Sequence, residues 1–494
     1  MKTDASPRSD RGAWTGCAFV PPYLLRHLST SDDETAQASG RSTLATDAAL
    51  RAQRATPHQP LLVPRPAEAG ADNRVVSTAG NTETLPGRQV RADGDPPSGD
   101  AAVDEAWDSS GQTLALFAEQ FQRDSIDGRG GTVSITVHYG DTYDNAFWDG
   151  SRLVFGDGDG VVFGRFTKPM DVMAHEFTHG VTQYTAGLTY QGQSGALNES
   201  VSDVFASMAK QRADGETAAG ADWLIGEGLF LPSINATALR SMKDPGTAYD
   251  DPQIGKDPQV GSMDDYVDTQ EDNGGVHINS GIPNRAFALA AIALGGHSWE
   301  RAGQIWYATL TGGDVGAGTD FAGFAQATVA AAGRLYPDDV TVAETVREAW
   351  AQVKVLTPTA PDVPVDATGS GGSVTGGSAT GGSGPRRSGR GDSGAPEAPT
   401  GLTTVAVRRT GGFANVTRMA ELDLDADPSG PEVRQLLMST DLRQLVTTDR
   451  SGADRFTYTL EYGSVRVTVP EHDLTPELHR VVRLVLGENG ASEQ

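Results

Sequence analysis

The sequence predicts an α+β protein, on three observations. Alternating, turn-rich segments prevail up to about residue 168, and segments with apolar residues at helical spacing prevail from there to about 356. A Gly/Ser/Pro tract then leads into a short tail that mixes both patterns. At 494 residues the chain exceeds one compact unit, and 37% hydrophobic residues suffice for a large core. Its formal net charge of -26 argues against nucleic acid or an anionic membrane as a partner, because phosphates would be repelled.

Taken in order, the N-terminus "AFVPPYLLRHLS" contains no uninterrupted apolar stretch: Pro21 and Pro22 break it and Arg26 charges it, so no standard secretory signal is expected. No run approaches the roughly 18 apolar residues of a membrane span, and a soluble monomer is expected. Residues 30 to about 72, rich in Ser, Thr, Ala, Pro and charge, read as a flexible connector. From about 73, "GTVSITVHYG" alternates like a strand, and "YDNAFWDGSRLVFGDGDGVVFG" mixes short apolar runs with Gly-Asp turns. "GDGDG" lacks the Lys-Ser/Thr ending of a phosphate loop. Helices are predicted over 170–186, 197–213, 281–294, 299–311 and 321–335. The expected organisation is an N-terminal segment (1–72), a β-rich lobe (73–168), a helical lobe (169–356), a linker (357–400) and a small α+β domain (401–490).

The chemistry is concentrated in "DVMAHEFTHGVTQY". On a helix, His175 and His179 lie one turn apart on one face, the separation at which two imidazoles meet one tetrahedral zinc. Glu176 beside them could take a proton from metal-bound water. Alone, the pattern fits equally an amphipathic helix with solvent-facing or core-satisfied histidines. A catalytic zinc needs a third protein ligand, and "GALNESVSDVFA" offers Glu199, with Asp203 one turn later able to accept the outer N–H of a ligand histidine. In "TQEDNGGVHINSG", Asp272 precedes His277 across two glycines, a turn that could present the imidazole to an oxyanion with the carboxylate behind it.

Together, "HEFTH", "GALNESVSD" and "NGGVHINSG", in this order and spacing, resemble the thermolysin-type zinc metalloendopeptidases through residues 74–355. The resemblance implies a two-lobed catalytic unit, β-rich then helical, that hydrolyses internal bonds of protein or peptide substrates. It implies His175, His179 and Glu199 as zinc ligands, Glu176 as general base, His277 and Tyr190 as oxyanion stabilisers, and Asp272 as the group orienting His277. Asn145, the backbone of Ala146, and Arg240 would hold the substrate main chain. Phe163, Val172, Ile225, Leu229 and Leu239 would line the primed-side pocket, whose apolar walls suit Leu, Phe, Ile or Val. One departure stands out: Lys210 occupies a position where the family's paired calcium site uses a carboxylate. An ammonium cannot ligate calcium, so that double site is expected to be lost, with Lys210 paired to Asp171, Asp222 or Glu227; calcium at a single or altered site stays possible.

"AFVPPYLLRHLS" is similar to the short propeptide of the protealysin-like subgroup, which implies a precursor without a conventional signal and, by family, export, while the missing signal leaves room for a cytoplasmic stage or an unconventional route. Pro21–Pro22 and the following Tyr23, Leu24 and Leu25 are expected to cross the cleft in a non-cleavable direction or register. Cys17, the single cysteine, forms no intrachain disulfide and is not assigned to the metal. Residues 401–488 resemble emfourin, a small inhibitor of protealysin-like enzymes. A linker of about forty residues with a root-mean-square span of roughly 35 Å would let such an inhibitor reach the cleft of its own chain.

Overall fold

The computed structural model describes residues 18–55, 74–357 and, between 404 and 486, the elements named below; Cys17 and the linker lie outside the described residues. Contacts divide the chain into two units, residues 1–367 and 368–494.

In the larger unit, the N-terminal part forms helices α1 (Pro22–Leu28) and α2 (Glu34–Ala55). The second corrects the expectation of a flexible connector beyond residue 30. Its sequence is too polar to announce a core-facing stripe, and long-range polar contacts hold it instead. Ser39 Oγ donates to Thr142 O (2.7 Å), Thr43 Oγ1 accepts Asp144 N–H (3.0 Å), and Asp47 accepts from Tyr143 OH (2.6 Å) and Asn145 Nδ2 (3.0 Å). Spaced by four, these three residues share one helix face.

Strands β1 (Arg74–Thr82), β2 (Arg88–Ala92), β3 (Val133–Tyr139), β4 (Ala146–Trp148) and β5 (Leu153–Phe155) make a five-stranded sheet ordered β2-β1-β3-β5-β4. β3 runs parallel to both β1 and β5, and β4 closes one edge antiparallel to β5. Helix α3 (Ala101–Phe121) interrupts this β-rich stretch, a feature absent from the expectation for 73–168. Its start is signalled by Asp100, whose carboxylate accepts the N–H groups of Ala102 and Val103, and its face of Val103, Ala106, Leu116 and Phe117 enters the core.

Helices α4 (Met170–Gln183) and α5 (Gly192–Asp214) pack on each other and carry the metal motif. Both are buried nearly all round, which explains why apolar and polar residues alternate little along them. Short strands β6 (Leu224–Ile225), β7 (Arg240–Ser241), β8 (Asp250–Asp251) and β9 (Gly255–Lys256) follow. Helices α6 (Asp272–Asn279), α7 (Gly281–Leu294), α8 (Arg301–Thr311), α9 (Phe321–Leu335) and α10 (Val340–Gln352) complete the helical lobe. One continuous apolar core joins both lobes, from Phe117 through Phe177 and Phe205 to Trp306 and Trp350.

The smaller unit has strands β10 (Thr404–Gly411), β11 (Arg418–Asp423), β12 (Phe456–Tyr462) and β13 (Val465–Pro470) in an antiparallel sheet ordered β11-β10-β12-β13, with helices α11 (Gly430–Ser439) and α12 (Pro476–Val485). Val405 and Val407 alternate inward from β10, and Leu478, Val481, Val482 and Val485 form the matching stripe of α12.

Candidate active site

The one-turn spacing on α4 brings His175 Nε2 and His179 Nε2 to 3.0 Å, both fully buried. From α5, the Glu199 carboxylate lies 3.5 Å from each of these nitrogens. The outer nitrogens are engaged behind: His175 Nδ1–H donates to Asp203 Oδ1 and His179 Nδ1–H to Asn198 Oδ1, each at 2.9 Å. Those bonds leave the Nε2 lone pairs facing one another, an arrangement two neutral imidazoles favour only around a shared cation. Glu199 Oε2, buried and without a hydrogen-bond partner, belongs to the same group of donors and calls for a positive charge beside it. Burial, aided by His175, depresses the His179 pKa to about 3 and keeps the ring in the neutral form that binds metal. The donor set of two imidazoles and one carboxylate fits zinc with an open position. Glu176, also fully buried, belongs to the same cluster.

His277 arrives from α6. Its Nδ1 donates to Asp272 Oδ1 at 2.6 Å, while Asp272 Oδ2 accepts the His277 backbone N–H at 2.9 Å. The turn between them keeps Asp272, Asn273, Gly274 and Gly275 at positive φ, which explains the glycines. A Cβ at Gly274 would stand 2.9 Å from Gly192 N, so the turn is also too close-packed for a side chain. Burial alone would lower the His277 pKa, but Asp272 and Glu199 outweigh it and raise the pKa to about 9. Tyr190 OH lies 3.3 Å from His277 Nε2 and donates to Glu199 Oε1.

The expected backbone-holding groups converge beside this centre, and the protein's own N-terminal segment lies on them. Phe19 N–H donates to Ala146 O at the edge strand β4 (3.0 Å), and Arg240 Nη1 donates to Phe19 O (3.1 Å). Val20 N–H donates to Asn145 Oδ1 (2.8 Å), and Asn145 Nδ2 returns a bond to Val20 O (3.2 Å). Ala18 O accepts from His277 Nε2 at 3.0 Å. Carbonyls of this segment face the donors, and its N–H groups the acceptors, that were expected to hold a substrate, while Tyr23, Leu24 and Leu25 belong to α1. The Phe19 ring is fully buried, edge-on to His175 at 5.0 Å between centres and 4.7 Å from the Arg240 guanidinium carbon.

Of the expected pocket residues, Phe163, Val172, Ile225, Leu229 and Leu239 are all buried in the same core as Phe19. Phe163 stacks on Phe230 at 5.1 Å between ring centres. Sequence reasoning missed Gly226, at φ +74°, where a Cβ would come 3.1 Å from Leu239 Cβ and 3.4 Å from the Phe19 ring. It also missed Asn198, whose Nδ2 donates to Leu188 O and so aims Oδ1 at His179. Its position directly before Glu199 in "LNES" was the available signal. Asp203, expected to accept from a ligand histidine, does so from His175 and also takes two hydrogen bonds from Arg240 (2.9 and 3.0 Å) and one from Asn284 (2.8 Å). Burial would raise its pKa, yet Arg240 and His175 hold it well below the carboxylate range. One buried carboxylate therefore ties a metal-facing histidine to a backbone-holding arginine.

Away from the centre, Lys210 Nζ bonds Asp222 (3.0 Å) and Glu227 (2.9 Å). Asp171 is buried close by and accepts Gly226 N–H, and burial pushes its pKa up to about 6.

Family comparison matches residues 71–183 to the thermolysin metallopeptidase catalytic domain, 186–355 to the thermolysin metallopeptidase alpha-helical domain, and 407–486 to emfourin. An extracellular metalloprotease of Pectobacterium carotovorum subsp. carotovorum is 49% identical over 342 residues, 69% of this chain and 96% of that protein. Protease PrtS of a Photorhabdus species is 43% identical over 341 residues, 68% of this chain and 91% of that protein. The solved precursor of protealysin, a metalloproteinase from Serratia proteamaculans, is 48% identical with a TM-score of 0.62, covering 69% of this chain and all (100%) of that one. With the buried His-Glu-His cluster inside the matched regions, the chain belongs to the thermolysin family of metallopeptidases and carries an emfourin domain at its C-terminal end.

Proposed function

We propose that this metallopeptidase is a zinc endopeptidase made as a latent precursor, restrained by its N-terminal segment and by its emfourin domain. The observation that supports latency best is the set of backbone bonds from Ala18, Phe19 and Val20 to His277, Ala146, Arg240 and Asn145, which leaves those groups no room for a substrate. Residues 1–72 would be the propeptide, 73–168 and 169–356 the two catalytic lobes, 357–400 a tether and 401–490 the inhibitor.

His175, His179 and Glu199 would hold the zinc, which supplies Lewis acidity to a peptide carbonyl and to a water. Glu176 takes the proton from that water and delivers it to the departing amine. His277, oriented by Asp272, and Tyr190 donate to the oxyanion. Asn145, Ala146 and Arg240 align the primed backbone, and Asp203 keeps Arg240 and His175 in register. The apolar pocket that accepts Phe19 supports a preference for Leu, Phe, Ile or Val after the cleaved bond. At the former paired calcium position, the Lys210 ammonium would do the work of the cation, so the double site is absent. The relatives named extracellular proteases support export.

The test is hydrolysis of a short Leu-containing peptide by residues 74–357, titrated with separately made residues 400–494. Loss of activity at stoichiometric addition is expected. An untouched rate would make the C-terminal domain a binding module for substrate or envelope. Tethering, which sets an effective concentration of about a millimolar, would then serve capture instead of restraint.

A further inference from the structure

We propose that the Ala18–Phe19 peptide bond is a self-processing site: the chain presents it to its own active site as a substrate, and its hydrolysis leaves the segment from Phe19 docked as a bound product. This rests on the endopeptidase reading above.

Direction and register carry the argument. The segment runs Ala18, Phe19, Val20 with Ala18 O on His277, Phe19 O on Arg240 and Val20 N–H on Asn145. Reversed, it would set N–H groups against the donors of Arg240 and His277. The register is pinned from both sides. Moving the chain so that Val20 takes the place of Phe19 would bring Pro21 to Asn145 Oδ1, and proline has no N–H to give. One step further, Pro21 would face Ala146 O with the same defect. A shift the other way would replace the buried Phe19 ring by the methyl of Ala18 and leave a cavity against His175, Leu239 and Gly226. Pro21–Pro22 therefore acts as a register stop, placing one bond, Ala18–Phe19, at the catalytic groups.

The step balances without a co-reactant beyond water. Water adds to the Ala18 carbonyl carbon while Glu176 takes one of its protons, the C–N bond breaks, Glu176 passes that proton to Phe19 nitrogen, and the second proton of the water goes from the new carboxyl group to the amine. Ala18 becomes a carboxylate and Phe19 an ammonium, which keeps a donor for Ala146 O. Cleavage is not release. Phe19 O stays on Arg240, Arg26 on Glu271 (2.7 Å), His27 on Pro252 O (3.1 Å), and α2 on Thr142, Tyr143 and Asn145. The cut precursor accordingly remains inactive toward added peptide until the docked segment leaves.

The experiment follows the full chain by intact mass and N-terminal sequencing after zinc loading, over a wide range of protein concentrations. Expected is a new N-terminus at Phe19, formed at a rate independent of concentration and absent in Glu176→Ala. Phe19→Leu should preserve the cut, and Phe19→Gly should slow it by about 100-fold or more, as the pocket loses its occupant. A second readout does not depend on turnover. In the Glu176→Ala chain, the Phe19 and Val20 amides should be protected from hydrogen exchange, and Phe19→Gly should remove that protection without shifting the melting temperature of the catalytic unit by more than a few degrees. An intact Ala18–Phe19 bond in a zinc-loaded chain overturns the proposal, provided residues 74–357 hydrolyse the Leu peptide. If those residues hydrolyse nothing, the endopeptidase reading falls with it. A cut whose rate rises with protein concentration also overturns the proposal, since the bond would then be presented to another molecule.

Discussion

Asp203 shows how one side chain can carry several functions. It is fully buried, yet it accepts from His175, Arg240 and Asn284. Removing it strands the buried Arg240 guanidinium, and breaking one side of a buried pair costs about 3–5 kcal/mol. Asp203→Ala should therefore lower stability by that order in denaturant titration and cut kcat/KM at least about 10- to 100-fold, the usual effect of losing a metal ligand's outer partner. A loss of stability with unchanged metal affinity and turnover would separate Asp203 from the metal centre. Lys210 gives a second test. Lys210→Glu would place another carboxylate beside Asp171, Asp222 and Glu227, and their repulsion should lower the melting temperature in chelator and restore it with millimolar calcium. The parent should respond to calcium little. Of these residues, the metal motif was legible because a one-turn spacing is a local property. The double duty of Asp203 was not, since Arg240 lies 37 residues away and nothing local pairs them.

At the scale of elements, two places reward attention. Helix α2 was read as a connector because its pattern is polar, and its docking depends on Ser39, Thr43 and Asp47 finding partners about 100 residues away. Strand β3 meets the start of α3 through His138, whose Nδ1 lies 2.7 Å from Asp157 and Nε2 3.1 Å from Asp100, the N-cap of α3. Hydrogen bonding to Asp157 raises the His138 pKa, with burial opposing and Asp100 adding. A pKa raised on folding gives stabilisation that is full below the unfolded value of about 6.5 and fades as pH rises through the folded value. The melting temperature of the parent should therefore exceed that of His138→Asn most at about pH 6, with the gap closing at higher pH. Asparagine tolerates the φ of +55° found at this position, so backbone strain does not confound the comparison. A gap that widens with pH would reject the assignment.

For the molecule as a whole, two units are joined by a Gly/Ser/Pro-rich stretch, and each has a core of its own. Zinc held by the folded catalytic unit and not by the unfolded chain should stabilise that unit by mass action. Chelation should lower the melting temperature of residues 18–357 and leave residues 400–494 unchanged. A single transition moving as one would instead show that the units are energetically coupled.

The sequence by itself determined the order of lobes, the one-turn His-Glu-His motif and the family likeness, because helix faces, strand alternation and turn chemistry are written in residues a few positions apart. The matching helical stripe of the small C-terminal domain was readable in the same way. Only the tertiary structure decided what occupies the cleft. Ala18 meets His277 across 259 residues and Val20 meets Asn145 across 125. Such contacts follow from how packed lobes converge on one edge strand and one buried carboxylate, and no local pattern in the chain encodes that convergence.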